Sequence, residues 1–343
     1  MAEYIKIAAI QMDAGFAPKV TRLARAEEIM LRAVQQGAQL LVLPELFNTG
    51  YVYSDVVYEQ VEPDDGPTAS WMRDFSAVYG VHLAGTFLRS EDGEVYNTLL
   101  LTAPDGREWR YNKHYPWVWE RAYFRGGREV MVADTGLGKL GMLICWDVAH
   151  TALWARYAGK VQMMVVCSCP PMVHRMTLHM PDGLQVPFGT LGPAQAQIQQ
   201  TADDSFGTFL RRQAFHLGVP LVNTTGMGRF TSFLPKPRAS LLGMAMTAPR
   251  LWKYLPQATQ MQVESGYFEE TYLADASGEV LAQVPAGEEG FVIAEVVLPD
   301  SPPPPKGKPP AYGLSIFSYL FDRYANLLLA GEYRRKKRRV ARY

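Results

Sequence analysis

Three positions carry side chains that together could perform nucleophilic chemistry. Glu45 follows the apolar run Leu40–Leu43, in Leu41-Val42-Leu43-Pro44-Glu45-Leu46. Lys113 follows the strand-like stretch Arg107–Tyr111, in Tyr111-Asn112-Lys113-His114. Cys145 closes the apolar run Leu140–Ile144 and precedes a helical pattern that starts near Asp147. A thiol needs a base to become a nucleophile, and a carboxylate can be that base. A fixed ammonium can then hold the oxyanion that develops on the substrate. Singly, each residue has a plainer reading as core thiol, solvated acid or surface lysine. Jointly, at three strand ends, they point to cysteine-dependent chemistry. Cys167 and Cys169 are rival thiols, but no helix follows either directly. A helix N-terminus at Cys145 favours a thiolate and offers the Trp146 amide as a second oxyanion donor.

Such residues meet only if their strands share a sheet edge, so the elements matter. Short apolar runs read as strands at Ile5–Met12, Leu40–Leu43, Val81–Leu88, Val95–Thr102, Arg107–Tyr111, Leu140–Ile144, Val161–Val166 and Val219–Asn223. Helical spacing of apolar residues marks Thr21–Gln36, Thr68–Tyr79, Asp147–Tyr157 and Ala194–Leu217, and later strands fall at Glu269–Asp275, Val280–Val284 and Gly290–Val297. Strands alternating with helices predict a layered α/β domain over residues 1–298, with ligands expected at the carboxyl ends of its strands. Residues 168–190, rich in Pro, Met and His, read as an irregular lid or interface loop. The stretch 299–312, with seven prolines between Pro299 and Pro310, reads as an extended linker. Residues 313–343 read as an amphipathic helix, marked by Ile316, Phe317, Leu320, Phe321, Tyr324, Leu327 and Leu328, with a basic tail.

Composition narrows the function classes. A 343-residue chain with 48% hydrophobic and 20% charged residues can bury a large core, which excludes wholesale disorder. No apolar run approaches the roughly 18–20 residues of a membrane span. No secretory leader pattern opens the chain, and three cysteines suit a reducing compartment, so a cytoplasmic protein is expected. The zero net charge conceals a tail, 334–343, with seven Lys or Arg and a body with 27 basic against 34 acidic residues. That acidic body makes a nucleic-acid partner unexpected, while Arg334–Arg339 could touch an anionic membrane surface. No metal is expected, because Cys169, His174 and His179 lack the usual ligand spacing. Thr224-Thr225-Gly226-Met227-Gly228 lacks the lysine of a phosphate loop.

Taken in order, Leu43-Pro44-Glu45, Tyr111-Asn112-Lys113-His114 and Gly141-Met142-Leu143-Ile144-Cys145-Trp146-Asp147 resemble the three motifs of the carbon–nitrogen hydrolase (nitrilase-like) superfamily. Gln213–Asn223 and Ala274–Leu281 resemble two further segments of it, and the likeness spans about residues 4–297. The resemblance implies a four-layer αββα sandwich, a Glu45-Lys113-Cys145 triad and no cofactor. It implies a small amide, carbamoyl or nitrile substrate attacked by Cys145, with Lys113 and the Trp146 amide on the oxyanion. It also implies a homodimer or larger homo-oligomer, in which the C-terminal helix packs across the interface. Glu120, in Trp117-Val118-Trp119-Glu120-Arg121, matches a second glutamate frequent in the family, against a reading as an Arg-paired surface acid. Trp117, Trp119, Tyr123, Phe124 and Trp146 surround the motifs and suit core packing or an apolar acyl pocket. His150 stands where the family often has a different pattern, and lines the site or serves the helix. Asp147, where nitrile-active members often have Glu, favours an amidase or carbamoylase. A nitrilase, an acyltransferase using the same thioester, and a non-enzymatic scaffold or membrane-surface module that binds through its tail remain alternatives.

Overall fold

The computed structural model describes residues 4–310 and 316–340. Five strands, β1 (Tyr4–Asp13), β2 (Leu40–Val42), β3 (His82–Glu91), β4 (Glu94–Thr102) and β5 (Glu108–Asn112), pair in the order β5-β4-β3-β2-β1. A second sheet is built from β6 (Val132–Thr135), β7 (Gly138–Ile144) and β8 (Met163–Ser168). Short strands β9 (Thr177–His179) and β10 (Gln185–Pro187) leave it before β11 (Leu221–Met227) returns beside β8. With β12 (Arg229–Phe233) and β13 (Gln262–Gly266), they form a separate four-stranded sheet ordered β10-β9-β13-β12. Strands β14 (Tyr272–Ala274) and β15 (Val280–Gln283) complete the second sheet, and β16 (Gly290–Val297) completes the first against β1. Among the described residues, the two six-stranded sheets pair with each other where Met12 and Asp13 of β1 meet Gly226 and Met227 of β11.

Strand alternation explains the layers. In β1, Ile5, Ile7 and Ala9 point into the core between the sheets, while Ala8, Ile10 and Met12 belong to the core beneath the helices. β3 repeats this, with Ala84 and Leu88 on one side and Leu83 and Phe87 on the other. Both faces are buried, which is why these strands read as continuous apolar runs. Helices α1 (Lys19–Gln35) and α2 (Pro67–Tyr79) cover the first sheet through Ala26, Ile29 and Met30 and through Ala69, Met72 and Phe75. Burying one such Ile or Met stabilises by about 1.5–3 kcal/mol. Helix α3 (Thr151–Tyr157) lies on the second sheet, its Tyr157 hydroxyl donating to the Met142 carbonyl at 2.7 Å. The result is the four-layer αββα sandwich that the motifs imply.

Two predicted helices are broken. The Asp147–Tyr157 pattern splits into a one-turn 3-10 segment, Cys145–Ala149, and α3, because His150 adopts an extended backbone. The Ala194–Leu217 pattern splits at Gly207 into α4 (Pro193–Phe206) and α5 (Thr208–Leu217). Residues 168–190 are not irregular throughout, since β9 and β10 tie them to β13. Helix α6 (Pro237–Ala245) was not apparent from the sequence.

Helix α7 (Ile316–Val340) follows the proline-rich stretch and packs on its own chain, against the Val118–Ala122 turn, α4 and α6. Tyr333 anchors it by donating to Glu94 at 2.6 Å and accepting the Val95 N–H at 2.8 Å. Lys337 adds an ion pair with Glu94 at 2.6 Å. Ile316, Tyr319, Leu320 and Leu327 stay exposed. The side chains of Phe317, Phe321, Leu328, Lys336, Arg338 and Arg339 lie outside the described residues, as does the boundary at 312–313. Among the described residues no helix is long and apolar enough to cross a membrane.

Candidate active site

The pairing directions make β2, β5, β7, β8 and β11 run the same way, so their carboxyl ends share one edge of the sandwich. Glu45 lies just past β2, Lys113 just past β5, Cys145 just past β7 and Cys169 just past β8. Topology alone therefore gathers the three residues singled out by the sequence, and adds the rival Cys169 beside them.

Glu45 is held by three donors. The Asn97 side-chain amide at 2.7 Å and Lys113 Nζ at 2.8 Å reach Oε1, and the Cys169 backbone N–H reaches Oε2 at 3.0 Å. Lys113 is fully buried and also donates to both oxygens of Glu120, at 3.0 and 2.7 Å. Glu120 in turn accepts the Trp117 N–H at 2.6 Å. It is 1% exposed, so the reading as an Arg-paired surface acid fails: a surface pair would leave it in water. One ammonium thus bridges two buried carboxylates.

The electrostatics follow from that bridge. Burial opposes the Lys113 charge, but Glu45 and the neighbouring thiol outweigh it and lift the ammonium above the usual lysine range. Burial, and then the Glu45 charge, push the Glu120 carboxyl well up. Burial first and Glu45 second also push the Cys145 thiol well up, against the pull of Lys113. The resting sulfur is therefore a neutral thiol that needs a base, and the Cys169 N–H stands against it. The helix-terminus argument for a thiolate weakens accordingly, because the 3-10 turn at Cys145–Ala149 is too short to supply a sizeable dipole. Burial likewise raises the Cys167 and Cys169 thiols.

Backbone strain clusters here. Cys145 has φ 47°, Leu46 beside Glu45 has φ 51°, and Val118 near Glu120 has φ 26°. These are three of the five non-glycine residues with positive φ among those described, which fits strain held at a working site. Gly126 and Gly127 press on the Lys113 loop so closely that a Cβ would lie 2.3 Å from the His114 oxygen and 2.5 Å from that of Asn112.

Asp147 locks the elbow to the loop. Its carboxylate accepts the Tyr111 hydroxyl at 2.8 Å and the N–H groups of His114 at 3.0 Å, Tyr115 at 2.8 Å and Ile144 at 3.2 Å. Asp147→Asn would turn an amide toward donors that need an acceptor. We expect a stability loss of about 1–3 kcal/mol in urea unfolding, and a kcat reduced about 100-fold by misplacement of Lys113 against Cys145. Unchanged kcat would show that Asp147 serves the fold alone.

Trp117 and Trp146 line an apolar cavity next to the site, together with Trp119 and Met176. His150 is not among its walls; it stacks on Tyr115 with centroids 3.4 Å apart and meets Trp146 edge-on. Burial lowers its pKa to about 3, so it stays neutral. Two residues escaped the sequence reading. Asn97 was hidden as a lone amide inside a strand. Tyr53, in a loop, is buried against Trp119 with centroids 5.4 Å apart, and burial together with the nearby Cys145 and Glu45 raises its phenol.

The model of the carbon-nitrogen hydrolase family matches residues 6–301. The chain belongs to that family. Within it, the chain is 34% identical over 149 residues to a nitrilase of Pyrococcus abyssi, covering 42% of this chain and 56% of that protein. It is 28% identical over 147 residues to the 2-oxoglutaramate amidase of Bacillus subtilis, covering 41% and 56%. The chain spans little more than half the length of these curated relatives. An amidase from Nesterenkonia shares the carbon–nitrogen hydrolase fold at a TM-score of 0.60 and 20% identity, over 87% of this chain and 92% of that one.

Proposed function

We propose that this protein is an amidase: a cysteine-dependent hydrolase of a small-molecule, non-peptide carbon–nitrogen bond, acting through a Cys145 thioester. The observation that carries the reading is the buried Lys113 ammonium between Glu45 and Glu120, beside a thiol on a strained strand end. Amidases among the relatives support it.

Glu45 takes the thiol proton as sulfur attacks the amide carbon, and the carbonyl electron pair moves onto oxygen. Lys113 and the Trp146 backbone N–H, which directly follows the nucleophile, stabilise that oxyanion. Glu45 returns the proton to nitrogen, the carbon–nitrogen bond breaks, and ammonia or an amine leaves. Water, deprotonated by Glu45, then attacks the thioester; the carbon–sulfur bond breaks, a carboxylic acid is freed, and Glu45 returns the proton to the Cys145 sulfur. Glu120 keeps Lys113 aimed, since Nζ spends two of its hydrogen bonds on it.

Intact-protein mass spectrometry after exposure to amides, carbamoyl compounds and nitriles, with ammonia followed in parallel, tests this. The expected result is an acyl adduct on Cys145 with ammonia release from amides. Adducts from nitriles alone would favour a nitrilase, and hydroxamate formation outpacing hydrolysis would favour an acyltransferase. Adducts on Cys167 or Cys169 would overturn the assignment.

A further inference from the structure

A small apolar cavity lies beside the site and is partly open to solvent. None of its described lining residues carries a charge. Its lining includes Trp146, next to the nucleophile, and Trp117 and Trp119, which lie just ahead of Glu120 in the chain. Ser318, on the C-terminal helix α7, forms part of the remaining wall and is itself buried. The polar groups around it are mostly satisfied: the Trp119 indole donates to Ser240 Oγ at 3.1 Å, and that hydroxyl donates to the Pro235 carbonyl. The Trp146 indole N–H is buried and has no partner among the described residues. A buried donor without an acceptor costs stability, and a carbonyl or ether oxygen on a bound molecule would pair it.

We infer that this cavity, roofed by α7, is the acyl pocket, and that it selects a neutral, largely apolar acyl group. The inference rests on the amidase reading and goes beyond it in substrate class. A carboxylate in the pocket would lose its water and meet no cation among the described lining residues, which is strongly unfavourable. This chain would therefore differ from its relative that acts on 2-oxoglutaramate, an anion. Helix α7 is held in place for the task. Besides Tyr333 and Lys337 on Glu94, its Tyr324 hydroxyl donates to the Ala239 carbonyl at 3.2 Å, and Glu332 pairs with Lys236. These contacts fasten the helix to the α6 region, which also lines the pocket, and to β4.

The test compares hexanamide and 3-phenylpropanamide with glutaramate, a carboxylate of similar length, on the full-length protein. Turnover is read on the wild type and binding, by calorimetry, on Cys145→Ala. We expect kcat/KM for the neutral amides to exceed that for glutaramate by more than about 100-fold, with the same order in binding. Ser318→Phe should lower the ratio of kcat/KM for 3-phenylpropanamide to that for acetamide by at least about tenfold. Glutaramate equal to or better than the neutral amides would overturn the substrate class while leaving the amidase reading intact. An unchanged ratio in a folded Ser318→Phe protein would remove α7 from the pocket. Binding preference without turnover of any amide would keep the pocket and reject the amidase reading.

Discussion

Cys145→Ala abolishes turnover, and Cys145→Ser leaves no more than about one part in 10⁴ of kcat, as expected when a nucleophile acting in a unit is lost. The serine hydroxyl keeps the shape but is far harder to deprotonate, and its neighbours are tuned to a thiol. Both variants fold, because the cysteine side chain is small and removing its sulfur costs about 1–2 kcal/mol. Glu45→Gln provides the companion result. The amide cannot accept the thiol proton, so kcat falls by about 10³–10⁴. Yet the Glu45 charge is one of the causes that raise the Cys145 thiol. Removing it moves the thiol titration, followed by ultraviolet thiolate absorbance, to lower pH. Easier ionisation with lost turnover separates a base that acts in the reaction from one that merely sets the resting charge. A Glu45→Gln variant with full kcat would reject the triad assignment, and a titration that moves to higher pH would reject the electrostatic account.

The parts of this site legible in the sequence were those written at strand ends. Glu45 and Cys145 each end an apolar run and Lys113 ends a strand-like stretch, and parallel strand ends must share an edge. What stayed hidden depended on contacts between distant segments. Asp147 looked like the start of a helix, but its carboxylate turns back to four donors from Tyr111, His114, Tyr115 and Ile144, and the helix starts instead at Thr151, after a single 3-10 turn. Strands β9 and β10 are three residues each, too short for a pattern, and the partner that fixes them, β13, lies some 80 residues further along the chain. Glu120 could not be placed, because only the fold brings Lys113 Nζ to it. The C-terminal helix was legible as a helix, but not its inner contact with the Val118–Ala122 turn, since amphipathic spacing names a buried face without naming what covers it.

Lys113→Met should damage both stability and catalysis, and the two losses have different pH signatures. The Lys113 ammonium is the only cation bonded to Glu45 among the described residues, and it takes both Glu120 oxygens. Without it, two buried carboxylates lose the ammonium that bridges them, which costs about 3–5 kcal/mol near neutral pH. The molecule lowers that cost by protonating Glu120, whose carboxyl burial and Glu45 already push up. A carboxyl raised in the folded state favours folding fully below its unfolded value, and that contribution is lost as pH rises through the folded value. The stability deficit of Lys113→Met, measured by urea unfolding, should therefore be smaller at about pH 5 than at about pH 8. The catalytic loss should not recover in the same way, because the missing oxyanion donor is absent at every pH and costs about 10²–10³ in kcat. Lys113→Arg should rescue neither, since a planar guanidinium cannot fit the fully buried slot of a compact ammonium. Glu120→Gln leaves Nζ two acceptors, the Glu45 oxygen and the new amide oxygen, and removes one charge, so both of its losses should be smaller than those of Lys113→Met. A stability deficit independent of pH would mean that Lys113 acts by packing rather than by charge. Full kcat in a folded Lys113→Met protein would take the ammonium out of the oxyanion's path.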